Sequence, residues 1–258
     1  MSHQLETFAN GETAFVTARV PAWHNLGTVI DHPMSAEEAM SIAHLSGWNV
    51  RKLPLTAAEP GAEPLPVPRN FAIGRTNPIT GATDLLGVVG RNYTPIQNEE
   101  QSDMLNALLH ESHGQIETAG SLRGGREVFV SAKIPAHFTV GGVDPVDLYI
   151  TALNSHDGTS PARFLVSPIR VVCANTQAAA LKNARSTFAI RHTRNYRANI
   201  AVARQALGLA LTYRDEFSIA AEKMINETMT EATFDQIIKR LYPEPSIDAT
   251  PRTKRTAE

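Results

Sequence analysis

The chain has 258 residues and a formal net charge of −2, and 42% of its residues are hydrophobic and 19% charged. This composition supports a folded core and excludes a largely disordered chain. The single cysteine, Cys173, excludes a disulfide scaffold and a cysteine-rich zinc site, and no apolar run reaches the about 20 residues that cross a bilayer. We therefore expect a cytoplasmic protein without a membrane segment.

Residues 1–68 are predicted to form an N-terminal elaboration that ends in a proline-rich loop. Ser35 and Glu38 have the spacing of a capping box at the start of a short helix. The segment from Leu53 to Pro68 holds five prolines, which favour an exposed loop or linker over regular structure.

A core domain is predicted over residues 69–242. It begins with a hairpin within residues 71–90 and a helix over about 97–110. Runs of β-branched and aromatic residues then predict an antiparallel β meander of about four core strands, within residues 114–122, 126–134, 147–155 and 162–172. Gly124 and Gly125 place the tip of a hairpin between the first two of these strands.

The remaining segments are predicted to be helical. The helices begin at about Asn175, Asn195 and Thr233, and residues 243–258 are predicted to be a disordered tail. The expected class is α+β, with an antiparallel β meander and an N-terminal hairpin followed by C-terminal helices.

Charge is distributed unevenly along the chain. Residues 158–214 hold nine basic residues and no acidic ones, whereas residues 1–157 hold nine basic and 17 acidic residues. Such a block suits a track for phosphates, since arginine and lysine release condensed counterions when they bind nucleic acid. A basic face that is solvated, or neutralised by the acidic first half, explains the same pattern equally well.

The sequence gives little support for catalysis. Ser155, His156 and Asp157 are consecutive, and adjacent residues cannot form a triad because its members approach from different directions. Cys173 follows an apolar run and is typical of a small buried hydrophobe, with a nucleophile as a minor alternative. The histidines show no metal-ligand spacing, and no phosphate-binding glycine motif is present. We expect no enzyme activity, no metal and no cofactor.

Residues 191–197 are the most informative segment for binding. They contain Arg191, Arg194 and Arg197 together with His192 and Tyr196. Guanidinium groups interleaved with an aromatic ring suit phosphate contact combined with base stacking.

Several blocks of the sequence are recognisable. The segments are PAWHNLGT (21–28), GRNYTPIQNEE (90–100), AGSLRGGREVFVSAKIP (119–135), NSHDGTSPARFLVSPIRVVCANTQAAAL (154–181) and RHTRN (191–195). Together they resemble the phage/plasmid-like protein family known as domain of unknown function 932. The resemblance implies a protein of a phage or other mobile element in a bacterial host, and it implies no particular activity.

By analogy of fold, a β meander followed by a helix and a basic region is similar to phage single-strand annealing proteins of the RecT/Redβ type. That likeness implies a homo-oligomer, ring or filament, which holds single-stranded DNA in a positively charged groove.

The resulting hypothesis is a non-catalytic protein that binds single-stranded DNA, or RNA, and anneals or protects strands during recombination. The residues expected to contact nucleic acid are Arg123, Arg126, Arg163, Phe164, Arg170, Lys182, Arg185, Arg191, Arg194, Tyr196 and Arg197. Phe164 and Tyr196 are the expected stacking groups. The alternative is a protein-interaction module, such as an anti-host-defence factor, which binds an acidic bacterial partner. An enzyme that uses Cys173 or His156 is a weaker option.

Overall fold

The computed structural model describes residues 3–109, 114–140, 144–184, 186–196, 223, 226 and 229–241. The strands are β1 (Phe15–Ala18), β2 (Thr28–Ile30), β3 (Arg51–Ala57), β4 (Leu65–Thr76), β5 (Thr83–Gly90), β6 (Gln115–Leu122), β7 (Glu127–Val140), β8 (Asp144–Ser155), β9 (Ala162–Ser167) and β10 (Ser186–Ile190). The helices with described bounds are α1 (Ala36–Ile42), α2 (Asn98–Leu109), α3 (Ala174–Asn183) and α4 (Glu231–Leu241).

The described strands form two sheets. The larger has seven strands in the order β10-β9-β8-β7-β6-β1-β2, in which β1 and β2 are parallel and all other neighbours antiparallel. The smaller has three antiparallel strands in the order β3-β4-β5. The predicted meander is present as β6-β7-β8-β9, at the centre of the larger sheet.

The predicted α+β class is nevertheless wrong. The described chain is mostly β, with a mixed seven-stranded sheet, a second sheet and short helices scattered along the chain rather than gathered after the meander. Two features account for the error. The strand β1 is buried at every position, so it shows no alternation of apolar and polar residues, and β2 has only three residues.

The proline-rich loop is shorter than predicted, since β3 and the start of β4 occupy residues 53–57 and 65–68 and leave the exposed residues 58–64 between them. Pro54 lies in β3, a strand at the edge of the smaller sheet, where its missing N–H is tolerated. The predicted boundary at residue 68 falls inside β4, which pairs with β3 on one side and β5 on the other.

Other local predictions are confirmed. Ser35 caps α1, and its Oγ accepts a hydrogen bond of 3.1 Å from the backbone N–H of Glu38. The strands β4 and β5 form the predicted hairpin, α2 begins and ends within one residue of its predicted bounds, and α4 begins two residues before its predicted start. The helix expected over about 195–229 and the tail over 243–258 lie largely outside the described residues.

The larger sheet buries apolar residues on both faces. Val128 and Val130 belong to a core shared with α1, α2 and the smaller sheet, whereas Phe129 points to the opposite core, which is covered by α3. The same alternation holds along β9, where Phe164 belongs to the first core and Leu165 to the second. Arg163 therefore projects to the α3 side of the sheet.

Candidate functional site

A groove of about 350 Å³ lies on the α3 side of the larger sheet, and we call it the α3 groove. Its lining residues come from the β6–β7 turn, the end of β8, the start of β9 and one face of α3: Arg123, Glu127, Leu153, Asn154, Ser160, Arg163, Gln177, Ala178 and Leu181. The fold thus brings together residues from two separate parts of the sequence, 123–127 and 153–181.

Arg123 stands at one wall of the groove in a fixed orientation. It lies in the tight turn between β6 and β7, where its φ of 55° is followed by Gly124 at 66° and Gly125 at 86°. Its Nε donates a hydrogen bond of 2.9 Å to Oε1 of Gln4, and its Nη1 forms an ion pair with Oε1 of Glu127. Both contacts hold the guanidinium group at the groove.

Glu127 lies beside Arg123 and has a second partner. Its Oε2 accepts a hydrogen bond of 2.8 Å from Nε2 of Gln177, a buried residue of α3. The only acid among the lining residues is therefore already engaged on both oxygens. Neither Glu127 nor Gln177 was predicted as a site residue, although the four-residue spacing from Arg123 to Glu127 across a hairpin tip permits this ion pair.

Arg163 contributes the other cation. It pairs with Leu153 of β8 and Ala189 of β10 in the sheet register, and its side chain is half-buried. Among the described residues it has no ion-pair or hydrogen-bond partner for its guanidinium group. The groove consequently carries one cation that is available to an anionic ligand.

Four further predicted cations are exposed at the surface. Lys182 follows Ala178 by one helical turn, so it lies on the same side of α3 as a groove residue. Arg191 follows Ile190, which pairs with Ala162 at the start of β9, and Arg194 is exposed in the next turn. Arg126 is exposed at the hairpin tip. These four have no ion-pair partner within 4.0 Å in the part of the chain that the structure describes.

Other predicted residues are placed differently. Phe164 and Tyr196 are buried in the first core, with 2% and 5% of their surfaces exposed, so their rings are covered by protein. Arg170 is bound to Oγ1 of Thr17 and the carbonyl of Val20, and it lies 3.5 Å from Oε2 of Glu117. Arg185 and Arg197 lie outside the described residues.

The carboxylate of Asp157 holds the loop after β8 in place through several hydrogen bonds. The same oxygen of Asp157 accepts hydrogen bonds of 2.6 Å from Ser155 Oγ and 2.6 Å from Thr159 Oγ1, together with the N–H of Thr159 at 3.0 Å. His156 points away from both neighbours into the core, where its Nε2 lies 2.8 Å from Oδ1 of Asn98. Ser155, His156 and Asp157 therefore form a loop and not a catalytic triad.

Two histidines, His156 and His192, are buried and pack against aromatic rings. His156 packs against Trp48, and His192 stacks on Tyr93 with ring centroids 4.6 Å apart. Burial, together with the nearby His192 and Arg75, lowers the pKa of His156 to about 3. Burial also lowers the pKa of His192 to about 4. Both rings are neutral in the folded protein at neutral pH.

Because His156 and His192 are buried in their neutral form, we expect the protein to lose stability in mild acid. An unfolded histidine has a pKa of about 6.5, so below that pH the unfolded state binds more protons than the folded state. The free energy of unfolding should fall as the pH drops from about 6.5 towards 4, by up to about 1.4 kcal/mol per pH unit for each histidine. Denaturant titrations between about pH 6.5 and 4 measure the slope of the free energy of unfolding against pH. His192→Phe, which keeps a ring against Tyr93, should reduce it, and an unchanged slope in that variant would contradict the assignment.

Cys173 has no histidine partner among the described residues. It is buried at the start of α3, and its Sγ lies 3.5 Å from Oγ1 of Thr176. The part of the chain described here contains no group of three or more histidine, cysteine or carboxylate side chains that could hold a metal ion. In the same part of the chain, no helix is long and apolar enough to cross a membrane.

Comparison with known proteins gives one match. The family model described as a domain of unknown function (DUF932) matches residues 85–258, which include every lining residue of the α3 groove. No curated protein and no solved structure matches the chain.

Proposed function

Because the chain belongs to the DUF932 family, whose description assigns no activity, we propose from the geometry of the α3 groove that the protein binds single-stranded nucleic acid without catalysis. The observation that carries the proposal is Arg163, a guanidinium group without a described partner in a groove that also holds Arg123. Arginine is suited to phosphate because its planar donors bind two oxygens at once.

The surroundings of the groove support a polyanion rather than a single small anion. Lys182 lies on the groove side of α3 and Arg191 lies beside the start of β9, and both are exposed and belong to the stretch without acidic residues. Several separated cations gain most from a ligand whose charges are also separated, such as a phosphodiester chain.

The size of the groove favours one strand over two. A volume of about 350 Å³ lies near the lower end of ligand sites, so it suits one nucleotide of a strand and its phosphate. With Phe164 and Tyr196 buried, binding depends on phosphates rather than on stacked bases, and little sequence preference is expected.

The wider proposal is that this binding anneals or protects strands of a phage or other mobile element in the bacterial cytoplasm, and that the protein acts there as a homo-oligomer. The buried free thiol of Cys173 is compatible with such a reducing compartment.

Retention of labelled oligonucleotides at low salt tests the proposal. We expect the protein to retain single strands more tightly than duplex of the same sequence, and to lose affinity steeply between about 50 and 200 mM salt. Adding the complementary strand then shows whether annealing is accelerated. Absence of single-strand retention at low salt contradicts the proposed function.

A protein-interaction module is the second candidate, and α4 favours it. Phe234, Ile237 and Ile238 are exposed on this helix at a spacing that forms one apolar stripe. Competition with polyglutamate tests whether the partner is an acidic protein, because a basic surface built for such a protein should bind polyglutamate as tightly as it binds an oligonucleotide of equal charge.

A further inference from the structure

We propose that Glu127 is an internal competitor in the α3 groove, whose carboxylate occupies on Arg123 the position that a nucleic-acid phosphate takes on binding. This inference rests on the proposed function and adds a residue that regulates the affinity of the same site. It follows from three contacts of Glu127 and Arg123, and from the position of Arg163.

Gln4 orients Arg123 independently of Glu127. The hydrogen bond from its Nε to Gln4 holds one edge of the guanidinium plane outside the pair with Glu127. Removing the carboxylate leaves this bond intact, so the remaining N–H donors stay directed at the groove. Arg123 is thus prepared for an anion whether or not Glu127 occupies it.

A phosphate can replace the Glu127 carboxylate on Arg123, because the two groups offer the same kind of acceptor. A carboxylate and a phosphate diester both present oxygens that accept parallel hydrogen bonds from a guanidinium group. Gln177 donates to Glu127 at 2.8 Å, and its N–H can serve a phosphate oxygen equally well. The two donors that hold Glu127 are therefore the two that an incoming phosphate needs.

A strand with several phosphates displaces the Glu127 carboxylate more readily than a single anion does. Glu127 is tethered to the same hairpin as Arg123, four residues away, so a single anion competes poorly with it. A strand that also reaches Arg163 gains a second contact and can displace Glu127. The competitor thus selects for ligands with several linked phosphates and lowers the affinity for isolated anions.

Glu127→Gln tests the inference, because the amide keeps the shape of the side chain and an oxygen that accepts from Gln177. We expect it to bind a single-stranded oligothymidine roughly tenfold more tightly at low salt, since like-charge repulsion is removed. The slope of log affinity against log salt should also become steeper by about 0.7, because in the unmodified protein the displaced carboxylate takes up a counterion and offsets one of those released from the phosphates.

The matched control is Asp147→Asn, which removes the same charge from an ion pair outside the groove. Oδ2 of Asp147 lies 2.6 Å from Nζ of Lys133, which is six residues further along β7 than Glu127, and the two members of this ion pair are exposed to a similar extent. This variant should bind the oligothymidine as the unmodified protein does. If both variants gain affinity for the oligothymidine equally, the effect is one of net charge alone and the inference is overturned.

A double-mutant cycle adds a second readout. The gain from Glu127→Gln should largely disappear when Arg123 is replaced by Gln, since no guanidinium is then released. If Glu127 only stabilises the hairpin, Glu127→Gln binds with equal or lower affinity while the unmodified protein still retains single strands. That result overturns the inference and leaves the proposed function standing, whereas absence of binding in every variant overturns both.

Discussion

Replacing Arg75 with methionine is expected to lower the free energy of unfolding by about 3–5 kcal/mol. Arg75 is almost fully buried and forms an ion pair with Glu6, which is buried as well. It also contacts Asp84 at 3.0 Å, and its guanidinium group lies 4.1 Å from the ring centroid of Trp48. Among the described residues, the substitution leaves the buried Glu6 carboxylate with the hydroxyl of Ser121, at 2.7 Å, as its one remaining side-chain partner.

Chemical denaturation measures this loss, and two variants serve as controls. Lys133→Met breaks an exposed ion pair and should cost about 1 kcal/mol or less. Adding Glu6→Gln to Arg75→Met should recover part of the stability, because the uncompensated charge is removed. A loss below about 1 kcal/mol for Arg75→Met contradicts the account of a buried ion pair.

Arg75 also connects the core to the proposed site. Gly125 packs directly on its guanidinium group, so a side chain at this position would collide with Arg75, and its φ of 86° is unfavourable for other residues. The turn that carries Arg123 is therefore shaped by the ion pair beneath it. Arg75→Met should weaken oligonucleotide binding as well as stability.

Replacing Arg163 with glutamine is expected to weaken binding of single-stranded oligonucleotide roughly tenfold at low salt and to reduce the salt slope by about 0.7. The reason is the loss of the one groove cation that has no described partner. Combining Arg163→Gln with Arg123→Gln should remove most of the remaining affinity, because both walls of the groove then lack a guanidinium group.

Fluorescence anisotropy of a labelled oligothymidine measures these affinities. The matched control is Arg69→Gln, which removes one exposed arginine from β4 in the smaller sheet, outside the groove. Its affinity should remain within a factor of two or so of the unmodified protein. If Arg163→Gln binds no more weakly than Arg69→Gln, the groove is not the binding site.

Local patterns predicted the centre of the fold well. The strands β6 to β9 alternate between two cores, and the sequence segments between them contain glycine or polar residues, so both the elements and their order could be read from the sequence. The pairing of β1 with β6 and of β10 with β9 could not, because these are contacts between distant segments that only the folded chain reveals.

The candidate site was predicted only in part for the same reason. The stretch without acidic residues drew attention to Arg163, but it could not separate that residue from Arg170, which is bound to Thr17 and Val20. The alternation in β9 already places Phe164 on the face of Ala162 and Val166, which argues for a core position. Glu127 and Gln177 meet in the groove only because α3 packs across the sheet.

Ultraviolet cross-linking of a single-stranded oligonucleotide, followed by identification of the attached peptides, shows directly whether the strand lies in the α3 groove. We expect cross-links within residues 123–127, 160–163 and 177–182, which line or border the α3 groove, and their loss in the protein that carries both arginine substitutions. Cross-links confined to other segments, with unchanged yield in that variant, would contradict this placement of the strand.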